Sequence, residues 1–161
     1  MPQTHTTIEL AVAADAAPIA VLSRDLVETG LGWSWRMPRL LCAIRASDHV
    51  VLAARANRHL AGAAVMVFGS DEARLNLLVV APAWQRKGLG SRLVRWLEAS
   101  ALTAGISVVY LEVRAGQAGA QRFYRRLGYR AVQRLPGYYS GRETALVMAR
   151  DLTLRHPADT A

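Results

Sequence analysis

Apolar and polar positions along the chain follow two rhythms, one of period two and one near 3.6. Residues 6–12 carry a strand pattern, and residues 16–29 follow with helical spacing, Asp15 standing as N-cap and Gly30 as stop. Pro38 opens a second, shorter helix over 38–46. Two β-branched or apolar runs, 49–55 and 60–68, flank residues 56–59 in the manner of a hairpin. A third run covers 74–81 and stops at Pro82. The clearest helix spans 88–103, where Leu89, Leu93, Val94, Trp96 and Leu97 make one apolar face and Gly105 ends it. Residues 106–114 read as a strand and 118–127 as a helix stopped by Gly128. Residues 129–135 and 144–151 are closing strands around a connection at 136–142. The order β-α-α-β-β-β-α-β-α-β-β predicts an α/β (α+β) fold, with helices flanking a mixed, mainly antiparallel sheet of about seven strands. A chain of 161 residues fits one domain, with 1–5 and 156–161 as loose ends.

Composition narrows the function more than the fold. Hydrophobic residues make up 52% and charged residues 20%, the balance of a globular chain. No apolar run approaches the ~18–20 residues of a membrane span. The start lacks a basic region, and Glu9 and Asp15 interrupt its apolar stretch, so no signal peptide and a cytoplasmic setting are expected. One cysteine, Cys42, excludes an intramolecular disulfide, and the four histidines show no metal-ligand spacing, so no metal is expected. The net charge of +8 is almost all arginine, since Lys87 is the only lysine. The arginines are spread along the chain, which argues against a nucleic-acid surface and suits an anionic cofactor.

Residues 78–91 carry the most specific chemistry. A strand ends at Pro82, a turn follows, and the long helix starts inside Gln85-Arg86-Lys87-Gly88-Leu89-Gly90-Ser91. First-turn amides of a helix lack partners and carry the positive end of its dipole, which favours a phosphate. Gly88 and Gly90 let backbone approach a ligand closely, and Arg86 and Lys87 add charge. No Gly-Lys-Ser/Thr follows, and the third glycine of a dinucleotide fingerprint is missing.

With this turn in place, residues 75–150 resemble the GCN5-related N-acetyltransferases (GNAT). Among these the bacterial enzymes that acetylate the N-terminus of a ribosomal protein are the nearest in pattern. The pieces are Leu78-Val79-Val80-Ala81-Pro82 with the glycine turn, Leu111-Glu112-Val113-Arg114-Ala115, Phe123-Tyr124-Arg125-Arg126-Leu127-Gly128-Tyr129, and Tyr138-Tyr139 with Glu143 and Met148. The resemblance implies the GNAT fold with acetyl-CoA as cosubstrate. It implies two strands, 74–81 and 106–114, that splay apart around the pantetheine arm. The arm would pair with the backbone of Leu78, Val79 and Val80, and the pyrophosphate would rest on the amides of Gln85, Arg86, Lys87, Gly88, Leu89, Gly90 and Ser91. Gln117 stands where the family usually has an asparagine that helps hold the cofactor. Residue by residue, Glu112 becomes the general base and Tyr124 the acid and a cofactor contact. An amide at Val79 or Val80 would polarise the carbonyl.

Acetyl transfer requires a neutral amine, a donor for the carbonyl oxygen and a protonated leaving thiolate. No cysteine nucleophile is required, so direct attack in a ternary complex is expected. By strand alternation alone Glu112 reads first as a solvated face residue. On the acceptor side the resemblance points to the first two helices and the last hairpin. There Trp33 and Trp35 in a glycine-bounded loop, and Tyr138 and Tyr139, are candidates to wall a pocket for a peptide N-terminus or a small-molecule amine. The alternative for the tryptophans is that they cap the core. Residues 31–45 contain no carboxylate, which favours a peptide or neutral amine over a polycation. A homodimer is expected from family habit. The competing classes are a non-catalytic acyl-CoA sensor, which would lack Glu112 and Tyr124, and a basic nucleic-acid-binding protein.

Overall fold

The computed structural model describes residues 5–160. Seven strands form one sheet in the order β1-β2-β3-β4-β5-β7-β6. They are β1 (Thr6–Leu10), β2 (His49–Ala56), β3 (His59–Phe68), β4 (Glu72–Val80), β5 (Val108–Arg114), β6 (Arg130–Tyr139) and β7 (Glu143–Asp151). Four α-helices accompany them: α1 (Ala16–Leu22), α2 (Met37–Arg45), α3 (Leu89–Thr103) and α4 (Ala118–Arg126). β4 pairs with β5 in parallel, from Glu72↔Val108 to Leu75↔Leu111, while β1–β2, β2–β3, β5–β7 and β6–β7 are antiparallel. This is the mixed, mainly antiparallel sheet that the strand pattern predicts. Among the described residues no helix is long and apolar enough to cross a membrane.

The chain divides into two compact units. One holds the described residues up to Val67 with Asn76–Leu97. Its core includes Ile19, Leu40, Val51, Val65, Leu77 and Val79. The β2–β3 turn is tight, with Asn57 and Arg58 at φ +49° and +71°. Two successive left-handed residues give the twist that a two-residue hairpin needs. The expected helix over 16–29 differs in detail. It begins as a 3₁₀ turn at Ala13–Asp15 and ends in a π-turn, Ser23–Val27. Asp15 stands at the N-cap position of α1 but makes no side-chain cap bond there; its carboxylate reaches back to accept from the Val12 N–H at 2.8 Å and meets Arg55 Nη2 at 2.7 Å.

The other unit holds Phe68–Leu75 and the described residues from Glu98 on. On β5, Val109, Leu111 and Val113 are buried while Tyr110, Glu112 and Arg114 are half-buried, the alternation read from sequence. The connection expected at 136–142 is shorter than predicted, because β6 continues to Tyr139. Pro136 is tolerated there because β6 is an edge strand whose register shifts between Leu135 and Tyr139. Residues 156–160, read as a loose end, form a 3₁₀ turn over Pro157–Thr160 held through Asp159; residues 1–4 and 161 lie outside the described residues.

Candidate active site

The glycine turn is built as a cradle. The first helical bond of α3 runs from the Arg92 N–H to the Gly88 carbonyl at 3.1 Å, so the amides of Leu89, Gly90 and Ser91 precede the ladder. Gly88 has φ +82°, and nothing lies within 4 Å of where its Cβ would stand. Arg86 is also left-handed, at φ +60°, an arrangement that costs a side-chain-bearing residue energy. Arg86, Lys87 and Gly88 are exposed, and the Lys87 ammonium lies 5.2 Å from the centroid of the Trp84 ring. An open backbone concavity, two cations and a helix N-terminus fit a pyrophosphate.

The strand before the turn presents its backbone selectively. Ala81 N–H donates to Ala61 O at 2.8 Å, and a Cβ on Gly62 would stand 2.8 Å from the Val79 carbonyl. Val79 therefore directs its peptide groups at β3, and by alternation Leu78 and Val80 direct theirs to the opposite edge. Of the two amides expected to polarise a carbonyl, the one turned away from β3 is Val80's. The Val80 carbonyl accepts from Gln85 Nε2 at 2.9 Å, which ties the turn back to β4. Gly62, which the motif reading did not single out, admits this close approach of β4; its signal was a glycine inside a strand pattern.

In the second unit the charge of Glu112 reaches Tyr139, and Tyr139 in turn reaches Tyr124. Burial pushes the Tyr139 phenol up to about 12, and the Glu112 carboxylate adds to the shift. Tyr124 is raised further, first by burial and then by Tyr139. Its ring packs edge-to-face on Phe123 and Tyr129, with centroids 5.0 and 5.7 Å away. Glu112 forms an ion pair with Arg74, whose guanidinium also lies 5.9 Å from the centroid of the Tyr110 ring. Arg74 was not a predicted site residue; an ion partner 38 positions away leaves no local signal. Gln117 is exposed at the N-terminal boundary of α4, where its carbonyl accepts from the Gln121 N–H at 3.2 Å, and the Gln121 side chain donates to the Ala115 carbonyl at 2.8 Å. Tyr138 is exposed and packs edge-to-face on Tyr139, with centroids 5.0 Å apart.

The tryptophans divide. Trp35 is 5% exposed and belongs to the core, with the Arg39 guanidinium 3.8 Å from its ring centroid, so it follows the core-capping alternative rather than the pocket wall. Trp33 is half-buried, donates its indole N–H to the Ala20 carbonyl at 3.2 Å, and has Arg36 at 4.9 Å from its ring centroid. The loop between them is held by a residue that the sequence did not single out. The buried Glu28 carboxylate accepts from the Ser34 N–H at 2.7 Å and the Ser34 hydroxyl. It also accepts from the Trp35 N–H at 3.2 Å and the Ser23 hydroxyl at 2.9 Å. Burial pushes this carboxyl up, but the donors outweigh it and hold it below the usual range. Among the described residues no group of His, Cys, Asp or Glu has the geometry to hold a metal.

The family model described as the acetyltransferase (GNAT) family matches residues 20–129. The chain belongs to this family. The [ribosomal protein bS18]-alanine N-acetyltransferase of Escherichia coli (strain K12) is 35% identical over 101 residues, covering 61% of this chain and 68% of that protein. The crystal structure of the ribosomal-protein-S18-alanine N-acetyltransferase from Escherichia coli superposes with a TM-score of 0.77. It is 27% identical over 95% of this chain and 97% of that one. NAA60 from Arabidopsis thaliana in complex with acetyl-CoA reaches a TM-score of 0.81 at 17% identity, covering 93% and 100%, a likeness of fold. As a family member the chain is an acetyl-CoA-dependent N-acetyltransferase.

Proposed function

We propose that the acceptor is the N-terminal amine of a peptide beginning with alanine, attacked directly in a ternary complex. The relatives at 35% identity are N-acetyltransferases of an alanine of ribosomal protein bS18, and the turn before α3 is the observation that carries the cofactor half of the reading. An α-amino group has a pKa near ~8 and lysine near ~10.4, so the N-terminus is the easier nucleophile at neutral pH. Glu112 accepts the amine proton through water, and the amine displaces Arg74 from it. The Val80 amide stabilises charge on the carbonyl oxygen. Tyr124, whose raised pKa keeps it protonated, donates to the departing sulfur. Leu78 and Val80 pair with the pantetheine arm, the amides of residues 85–91 hold the pyrophosphate, and Gln117 reaches the cofactor. Trp33, Tyr138 and Tyr139 face the acceptor.

Calorimetry with acetyl-CoA tests the cradle: micromolar binding is expected, and a Gly88→Glu, Gly90→Glu double variant should lose it. Mass spectrometry of an alanine-initiated peptide, against the same peptide with a blocked N-terminus and an internal lysine, tests the acceptor. Acetylation of the free N-terminus alone is expected. Transfer only to a polyamine or aminoglycoside would move the assignment to a small amine.

A further inference from the structure

Behind Tyr124 runs a buried polar chain that acetyl transfer itself does not use. The Tyr129 N–H donates to the Tyr124 carbonyl at 3.0 Å, and the two rings meet edge-to-face. The Tyr129 hydroxyl donates to Glu98 Oε2 at 3.0 Å. Arg150 Nη1 donates to both oxygens of the same carboxylate, at 3.0 and 2.9 Å. Arg150 Nη2 turns to Asp159, donating at 2.5 and 2.6 Å, and Asp159 accepts from the His156 N–H at 2.8 Å. The chain thus links α4 through α3 and β7 to the C-terminal turn at Pro157–Thr160.

Glu98 and Arg150 are only 5% and 7% exposed. A buried ion pair adds little net stability over apolar residues of the same volume, because desolvation offsets the attraction. What it supplies is direction. Paired, charge-assisted bonds fix the carboxylate, and the carboxylate fixes the rotation of the Tyr129 ring that bears on Tyr124. Gly128 seats the C-terminal turn beside this pair. It has φ +99°, and a Cβ there would stand 3.1 Å from the His156 ring and 3.2 Å from Arg150 Nε.

We propose that Tyr129, Glu98 and Arg150 are positioning residues for Tyr124, and that Asp159 latches the set from the C-terminal turn. This rests on the reading of Tyr124 as the proton donor. The test labels tyrosine rings with ¹³C and assigns the Tyr124 signal with Tyr124→Phe. Tyr129→Phe and Asp159→Asn are then compared by NMR, by melting temperature, and by kinetics with acetyl-CoA and an alanine-initiated peptide. The Tyr124 ring signal should move or broaden in both folded variants. Turnover should fall about ten-fold in Tyr129→Phe with KM for acetyl-CoA unchanged. In a Tyr124→Phe background Tyr129→Phe should cost nothing further. An unmoved Tyr124 signal, whatever the acceptor, overturns the proposal, as does an additive loss in the double variant. Full turnover by Tyr124→Phe overturns the donor reading and the proposal together. A loss in Tyr124→Phe with none in Tyr129→Phe overturns the proposal alone. Asp159→Asn, at a side chain 35% exposed, carries the test if Tyr129→Phe does not fold.

Discussion

Tyr124 was legible by its place in the Phe-Tyr-Arg-Arg-Leu-Gly-Tyr run; its environment was not. Burial disfavours the phenolate, so the ring keeps its proton where a free tyrosine would begin to lose it. A donor of this kind stabilises a departing thiolate by remaining protonated until the bond breaks. The sign of the shift fixes the pH behaviour. A pKa raised above the ordinary ~10 leaves the donor form intact through the whole neutral and mildly alkaline range. Turnover should therefore show no alkaline limb from Tyr124 below about pH 10. Tyr124→Phe should lower kcat about 10²-fold while the calorimetric Kd for acetyl-CoA stays put. Unchanged turnover, or an alkaline limb that vanishes in the variant, contradicts this account. Glu112 was equally visible as a residue, but its pairing with Arg74 arises only when β4 and β5 lie side by side. The same holds for the Glu28 clamp, which depends on the π-turn Ser23–Val27 bringing Ser23 and Glu28 together.

At the level of elements, every predicted strand and α-helix is present, and the misses lie where backbone geometry departs from the regular periods. The hydrophobic rhythm of residues 16–29 does not distinguish an α-helix from one that closes in a π-turn, because both bury the same face. The strand β6 was cut short at Pro136 because a proline usually ends a strand, and only its edge position relaxes that rule. Left-handed residues are the other hidden feature, and two of them separate strain kept for function from strain of no use. Arg58, at φ +71°, closes the β2–β3 hairpin; Arg86, at φ +60°, shapes the cradle before α3. Glycine relieves the left-handed penalty at either site, with part of the gain lost to a freer unfolded chain, so each replacement should stabilise by about 0.5–1 kcal/mol in urea titrations. Arg58→Gly should leave acetyl-CoA binding untouched, whereas Arg86→Gly should weaken it through the lost charge and a looser turn. Equal affinity in both variants would remove Arg86 from the cofactor site.

For the molecule as a whole, the sequence carried the order of elements, though not the order of strands in the sheet, because the strand count, the hairpin and the helix stops are all local signals. The proposed cofactor half of the site could be read from sequence because it is mostly backbone, which a short glycine motif encodes well. The acceptor candidates are side chains such as Trp33 and Tyr139, whose proposed roles depend on packing rather than on any spacing. The same asymmetry sets the expected response to ligand. Acetyl-CoA bound to amides that exist as a cradle only in the native chain stabilises the native state alone, by RT ln(1 + [L]/Kd), about 2.7 kcal/mol at a hundredfold excess over Kd. In a chain of this size each kcal/mol moves the melting temperature by roughly 2–4 °C, so a rise of about 5–10 °C is expected. Tyr124→Phe should keep that rise, since it alters a proton donor and not the cradle. The Gly88→Glu, Gly90→Glu variant should lose it, since two carboxylates then face the pyrophosphate. If the rise survives in that variant, the amides before α3 are not where the cofactor's phosphates rest.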